Sequence, residues 1–136
     1  MNKTITLASG KELEMTMQSF SIASSMFKVL SRELKEVNLK GDVDVNFKKV
    51  FSPKHKIKDD EINLIKDIFL TVSSCNEFEQ MIFECFKKCL YEKKKVVMSL
   101  FDEDEEARAD YLEMAWEVGK FNLSPFFKNL ASLLNM

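Results

Sequence analysis

The chain has 136 residues, of which 46% are hydrophobic and 31% are charged, and its formal net charge is −2. A chain of this length forms one domain and buries roughly two-thirds of its unfolded surface, so it needs no disulfide or metal to fold. The balanced charge argues against a general nucleic-acid binder, which is normally basic. Three cysteines, no apolar leader after Met1 and no apolar run near ~18 residues predict a cytoplasmic protein without a transmembrane helix.

The first predicted element is a β-hairpin over residues 4–17. Apolar residues alternate with polar ones on both sides of a turn that contains Gly10, as Ile5 does before it and Leu13 and Met15 do after it. A lone hairpin is marginally stable in water. We therefore expect it to pack on the helices or on a strand of another chain.

An amphipathic helix is predicted over residues 19–37, because apolar residues recur there at spacings of three and four. They are Phe20, Ala23, Phe27, Leu30, Leu34 and Val37. Residues 38–58 break this pattern and are predicted to form a basic loop around Pro53. Apolar and polar residues alternate over 43–47, so a short strand is an alternative there.

The remaining residues, 59–136, are predicted to be helical. Capping residues and apolar periodicity indicate helices over residues 59–73, 75–95 and 103–120, and a last one that begins with Ser124 as N-cap and Pro125 at the first helical position. Residues 96–101 form a short apolar link. The predicted fold is α+β and predominantly helical, with an N-terminal hairpin and about five helices in one compact domain over residues 1–136.

No arrangement of residues indicates an enzyme or a metal centre. His55 has no evident nucleophile or carboxylate partner. Cys85 and Cys89 are four residues apart and could join Cys75 and His55 on zinc, but the CxxC spacing is missing and both lie on an apolar stripe. We interpret them as core residues. The acidic run 102–106 lacks the glycine and spaced ligands of a calcium loop and is interpreted as a charged helix start.

The sequence also contains no phosphate-binding glycine loop, nucleophile elbow or HExxH motif. We therefore predict no catalytic residues, no cofactor and no metal.

The strongest binding candidate is the C-terminal segment, where large apolar residues are unusually dense. They are Trp116, Phe121, Phe126, Phe127, Leu130, Leu133 and Leu134. Such a segment either seals the core of its own chain or docks on a partner as an amphipathic anchor.

The hairpin over Thr4–Met15 and the closing segment over Trp116–Leu130 give the chain a layout that resembles the small tail assembly chaperones of long-tailed bacteriophages and prophages of Gram-positive bacteria. The resemblance implies a non-enzymatic protein of the host cytoplasm that is not part of the mature virion. It also implies that the chain binds and shields the tape measure protein, helps recruit tail tube subunits and forms homo-oligomers. It assigns no individual binding residue.

An alternative from another class is a small nucleic-acid-binding regulator that uses the basic loop 48–58. Its lysines are interleaved with Phe47 and Phe51, a pattern that can bind single-stranded nucleic acid. They are Lys48, Lys49, Lys54, Lys56 and Lys58. The acidic chain as a whole makes nucleic acid the less favoured partner.

Overall fold

The structure, a computed structural model, describes residues 2–39 and 74–128, with side chains over 2–33 and 74–126. Its elements in chain order are β1 (Asn2–Thr6), β2 (Glu12–Thr16), α1 (Phe20–Leu39), α2 (Asn76–Phe86), β3 (Cys89–Tyr91), β4 (Lys94–Lys95), α3 (Met98–Glu103) and α4 (Glu105–Lys128). The α+β class is confirmed. The count of about five helices is slightly off, since these residues contain four. The predicted basic loop 38–58 and helix 59–73 lie outside the described residues.

The strands form one antiparallel sheet in the order β1-β2-β3-β4. The N-terminal hairpin is as predicted, with Ile5 opposite Leu13. Leu13 also pairs with Tyr91 of β3 on its other side. The helix predicted over 75–95 was wrong beyond Phe86, because the chain turns into β3 and reverses at Glu92 and Lys93, which both have positive φ.

The core lies between one face of this sheet and the helices. The sheet contributes Leu13, Met15, Cys89 and Tyr91, and the helices contribute Met26, Leu30, Phe78, Ile82, Phe86, Met114, Val118 and Leu123, among others. All of these side chains are buried. The side chains of Leu34 and Val37, predicted to extend the buried stripe of α1, lie outside the described ones.

One long helix, α4, replaces the two helices predicted after residue 103. Asp104 caps its start, since its Oδ1 accepts hydrogen bonds from the backbone N–H groups of Glu106 and Ala107 at 3.0 and 3.2 Å. The helix continues through Pro125, so the start predicted at Ser124 was wrong. Asn122 and Leu123, just before the proline, are 2% and 1% exposed. Tertiary packing there outweighs the local signal for a break.

Acidic side chains on α4 hold the turn of the first hairpin against the helix. The Ser9 hydroxyl donates a hydrogen bond to Oδ2 of Asp110 at 2.7 Å. The Ala8 backbone N–H lies 3.2 Å from both carboxylate oxygens of Glu113. Lys11 forms an ion pair at 2.9 Å with Glu106, which lies one helical turn before Asp110. The hairpin therefore packs on the helices of its own chain, which was the first of the two expectations for it.

Candidate partner-binding surface

Three phenylalanines meet where the start of α1 lies beside the end of α4. The ring of Phe126 stacks on that of Phe27, with centroids 5.1 Å apart and planes 16° apart. Phe126 also stacks on Phe20, with centroids 5.9 Å apart and planes 24° apart. We call Phe20, Phe27 and Phe126 the aromatic cluster. The sequence indicated Phe126 as a contact residue and placed the other two on the apolar face of the predicted helix 19–37.

The aromatic cluster is open to solvent on one side. Phe20 is 75% exposed, the highest exposure of any large hydrophobic side chain in the described ranges, while Phe27 and Phe126 are half-buried. Stacking on Phe126 thus leaves most of the Phe20 ring in water. A single exposed apolar residue is ordinary, but the exposed Phe20 ring stacks on Phe126, which itself stacks on Phe27, and together they form a continuous apolar surface.

Polar contacts next to the aromatic cluster fix the start of α1 against α4. The Gln18 backbone N–H donates to Oδ1 of the buried Asn122 at 2.8 Å. The Gln18 side-chain amide donates to the backbone carbonyl of Glu84 at 2.6 Å. Nδ2 of Asn122 donates in turn to the carbonyl of Val118 at 2.9 Å. These paired groups hold the residues just before Phe20 against α2 and α4.

Two of the predicted contact residues pack inward instead of standing free. Trp116 and Phe121 are half-buried and lie against the hydrophobic core. The ammonium of Lys120 lies 6.0 Å from the centroid of the Trp116 ring and 3.7 Å from Glu117. The part of α4 around Trp116 and Phe121 therefore covers the core, and Phe126 near the end of α4 belongs to the aromatic cluster. The Phe127 side chain and Leu130, Leu133 and Leu134 lie outside the described residues.

The two cysteines with helical spacing are core residues, as predicted. Cys85 ends up in α2 and Cys89 in β3, and both are buried. The Cys89 thiol donates to the Cys85 carbonyl, with sulfur and oxygen 3.4 Å apart. Burial raises the pKa of each thiol to about 12, so both stay protonated and are poor metal ligands at neutral pH. Within the described ranges, no three His, Cys, Asp or Glu side chains are grouped to hold a metal.

Asp110 is a buried carboxylate that accepts hydrogen bonds from two hydroxyl groups. Its Oδ2 accepts hydrogen bonds from the Tyr91 hydroxyl at 2.8 Å and from Ser9. Burial, followed by the hydrogen bond to Asp110, raises the pKa of Tyr91 well above its usual range. The phenol therefore remains a donor, and the three side chains join the sheet, the hairpin turn and α4. These hydrogen bonds stabilise the packing of the sheet and of the hairpin turn on α4.

Comparison with known proteins gives one match. A family model described as "Phage tail assembly chaperone protein, TAC" matches residues 13–135. No curated protein and no solved structure matches the chain. None of the helices in the described ranges is long and apolar enough to span a membrane. The matched residues include α1 and α4, the two helices that carry the aromatic cluster.

Proposed function

Because the chain belongs to the phage tail assembly chaperone family, we propose that it binds and shields the tape measure protein while the tail is built. It helps recruit tail tube subunits, acts in the host cytoplasm, associates with further copies of itself and leaves before the virion is complete. The family has a role in assembly and is not a class of enzyme. The observation that carries the proposed contact is the exposed Phe20 ring resting on Phe126.

The chemistry of the aromatic cluster suits a partner with apolar helical stripes. A phenylalanine ring gains large contact area for little lost side-chain freedom, and such residues dominate the energy of protein interfaces. An amphipathic partner helix could lay its apolar stripe across the Phe20 ring and the edge of Phe126. A tape measure protein that exposes such stripes before assembly would be kept soluble by this contact.

The size of the aromatic cluster favours reversible binding. One ring exposed to 75% and two half-buried rings offer much less than the roughly 800 Å² per partner of a standard stable interface. We expect each site to bind in the micromolar range, with several chaperones covering one long partner. Weak individual contacts let the tube subunits displace the chaperones as the tail forms.

Co-expression tests the shielding directly. The proposed partner, the tape measure protein of the same genome, is produced alone, with the wild-type chain and with the Phe20→Asp variant, and its soluble fraction is measured. We expect the wild-type chain to raise the soluble fraction several-fold and Phe20→Asp to remove most of that gain. Leu112→Asp is the control, because Leu112 is 45% exposed and lies fourteen residues from Phe126, about 21 Å along α4.

The control decides how a loss is interpreted. If Leu112→Asp abolishes shielding as fully as Phe20→Asp, the effect is a general one of added charge and the aromatic cluster is not the contact. An unchanged soluble fraction with wild-type chain would reject the proposed function itself. No observation on the described residues favours the nucleic-acid alternative, whose lysines at 48–58 lie outside them.

A further inference from the structure

The outer edge of β1 is an unpaired edge in the described sheet. β1 pairs with β2 along all five of its residues, and no described strand pairs with its other side. Backbone N–H and C=O groups on such an edge are ready to bond another strand.

The backbone hydrogen bonds fix which residues of β1 face outward. The Leu7 N–H donates to the Lys11 carbonyl, so in the same register Ile5–Leu13 and Lys3–Met15 are the hydrogen-bonded pairs. The bonds on the far side of β2 agree, since the Thr16 N–H donates to Lys88 and Glu12 accepts from Glu92. Asn2, Thr4 and Thr6 therefore direct their backbone N–H and C=O groups away from β2.

The opposite edge of the sheet is protected in a way that β1 is not. β4 consists of only Lys94 and Lys95, both exposed, so a second strand there would gain few bonds and meet two positive charges. β1 has five residues, and the three that face outward are uncharged. The difference between the two edges points to β1 as the side open to pairing.

We propose that β1 pairs with β1 of a second copy of this chain, antiparallel and around a two-fold axis at Thr4, to give a continuous eight-stranded sheet. In this register Thr4 lies opposite Thr4 of the second copy and Asn2 lies opposite its Thr6. The three pairs exchange about six backbone hydrogen bonds.

The side chains suit this register. Threonine opposite threonine is a favourable cross-strand pair, and no like charges lie directly opposite each other, because Lys3 faces Ile5 of the second copy. The inference rests on the self-association in the proposed function and names the surface that carries it. Six hydrogen bonds between short strands bury little area, so the dimer is reversible, with a Kd of tens of micromolar or weaker.

Disulfide cross-linking tests both the edge and the register. In a Cys75→Ser background, Thr4→Cys places two sulfurs across the axis, where Cα atoms of a hydrogen-bonded pair lie about 5.5 Å apart, within disulfide range. Thr6→Cys is the matched control, because two copies of Thr6 would be offset by about 13 Å along the strands. We expect mild oxidation to link Thr4→Cys at least tenfold faster. Equal rates for both variants would overturn the register.

Sedimentation of the full chain tests the same edge without a cross-link. Thr4→Pro removes an outward N–H and leaves the β1–β2 bonds intact, a position where a sheet tolerates proline. Its Kd for dimerisation should rise at least tenfold, while Thr4→Val should dimerise like wild type. A wild-type chain that stays monomeric near 1 mM, or a folded Thr4→Pro that dimerises normally, would overturn the proposal. If Thr4→Pro fails to fold, the cross-linking rates decide alone.

These experiments separate this inference from the tape measure contact. Phe20→Asp should lose tape measure shielding and still cross-link through Thr4→Cys. Thr4→Pro should dissociate and still bind tape measure segments as a monomer. The dimer through β1 can therefore be rejected while the tape measure contact is supported, and the reverse also holds.

Discussion

Phe126, near the end of α4, lies face to face with Phe27 of α1, with ring centroids 5.1 Å apart and planes 16° apart. The same ring also supports Phe20, which is mostly exposed. Phe126 thus has two roles, since it ties α1 to α4 and it forms the base of the proposed contact surface. The two roles can be separated by experiment, because Phe27 takes part mainly in the first and Phe20 in the second.

A double-mutant cycle on Phe27 and Phe126 should give a coupling of about 0.5–1.5 kcal/mol, the usual value for an aromatic pair. The unfolding free energy of the wild type, Phe27→Ala, Phe126→Ala and the double variant is measured in urea. Phe20→Ala should lower the unfolding free energy by less than about 1 kcal/mol, because its ring is 75% exposed. A coupling near zero would mean that the stacked rings do not join the two helices.

Tyr91→Phe should lower the unfolding free energy by about 1–2 kcal/mol, because it removes a buried hydrogen bond to Asp110. Tyr111→Phe is the control, since Tyr111 is half-buried against Phe83, Phe86 and Phe101 and keeps those ring contacts. Its effect should stay below about 0.5 kcal/mol. Equal effects of the two substitutions would show that the bond to Asp110 adds nothing.

Two glycine substitutions should have opposite signs. Gly10 has a φ of +88° with open space around an added Cβ, so Gly10→Ala forces an unfavourable backbone and should cost about 1–2 kcal/mol. Gly119 lies inside α4, and an added Cβ there would lie 3.5 Å from Cδ1 of Ile82 in α2, an ordinary van der Waals contact. Gly119→Ala should therefore raise stability by about 0.5–1 kcal/mol. Thermal unfolding of both variants checks the signs, and a stabilised Gly10→Ala would refute the turn geometry.

The buried thiols predict a loss of stability at alkaline pH. The pKa of Cys85 and of Cys89 is raised from 9.0 to about 12 in the folded chain, with burial as the largest cause. Above pH 9 the unfolded chain releases these protons and the folded chain keeps them, so stability falls as pH rises towards 12. Below pH 8 these thiols should contribute no pH dependence.

Urea unfolding at pH 7, 8, 9 and 10 measures this loss. The Cys85→Ala and Cys89→Ala variants are less stable at every pH because of the cavity each creates. Their decline between pH 9 and pH 10 should nevertheless be shallower than that of the wild type. If the variant that carries both substitutions loses stability as steeply as the wild type, the alkaline loss belongs to other groups.

The sequence predicted the β1–β2 hairpin and α1 well because the apolar residues of each recur at one regular spacing. Ile5 and Leu13 alternate with polar residues as strands of a half-buried sheet do, and the alternation survives in the observed register. The apolar stripe of α1 was also right for Ala23 and Leu30, which are buried. It failed for Phe20, because periodicity reports which face is apolar and not whether a neighbouring element covers the end of that face.

The hairpin that β3 and β4 form could not be predicted from local signals in the sequence. Cys85, Phe86, Cys89 and Leu90 fit a continuous helical stripe, and the turn that follows them between β3 and β4 lacks the usual asparagine or glycine. Glu92 and Lys93 adopt positive φ there, and the Glu92 side chain accepts a hydrogen bond from the Glu12 N–H at 2.7 Å. Long-range pairing of β3 with β2 thus selects a turn that the local residues do not favour.

Titration of tape measure segments into the purified wild-type, Phe20→Ala and Leu112→Ala chains measures the proposed contact at the aromatic cluster. Both substitutions remove an exposed apolar side chain, so their effects on folding should be small and similar. The proposed contact predicts that Phe20→Ala weakens binding at least tenfold, the roughly 1.4 kcal/mol or more expected of an interface anchor, and that Leu112→Ala changes it less than twofold. Wild-type affinity in Phe20→Ala, or no binding of any segment at micromolar concentration, would contradict it.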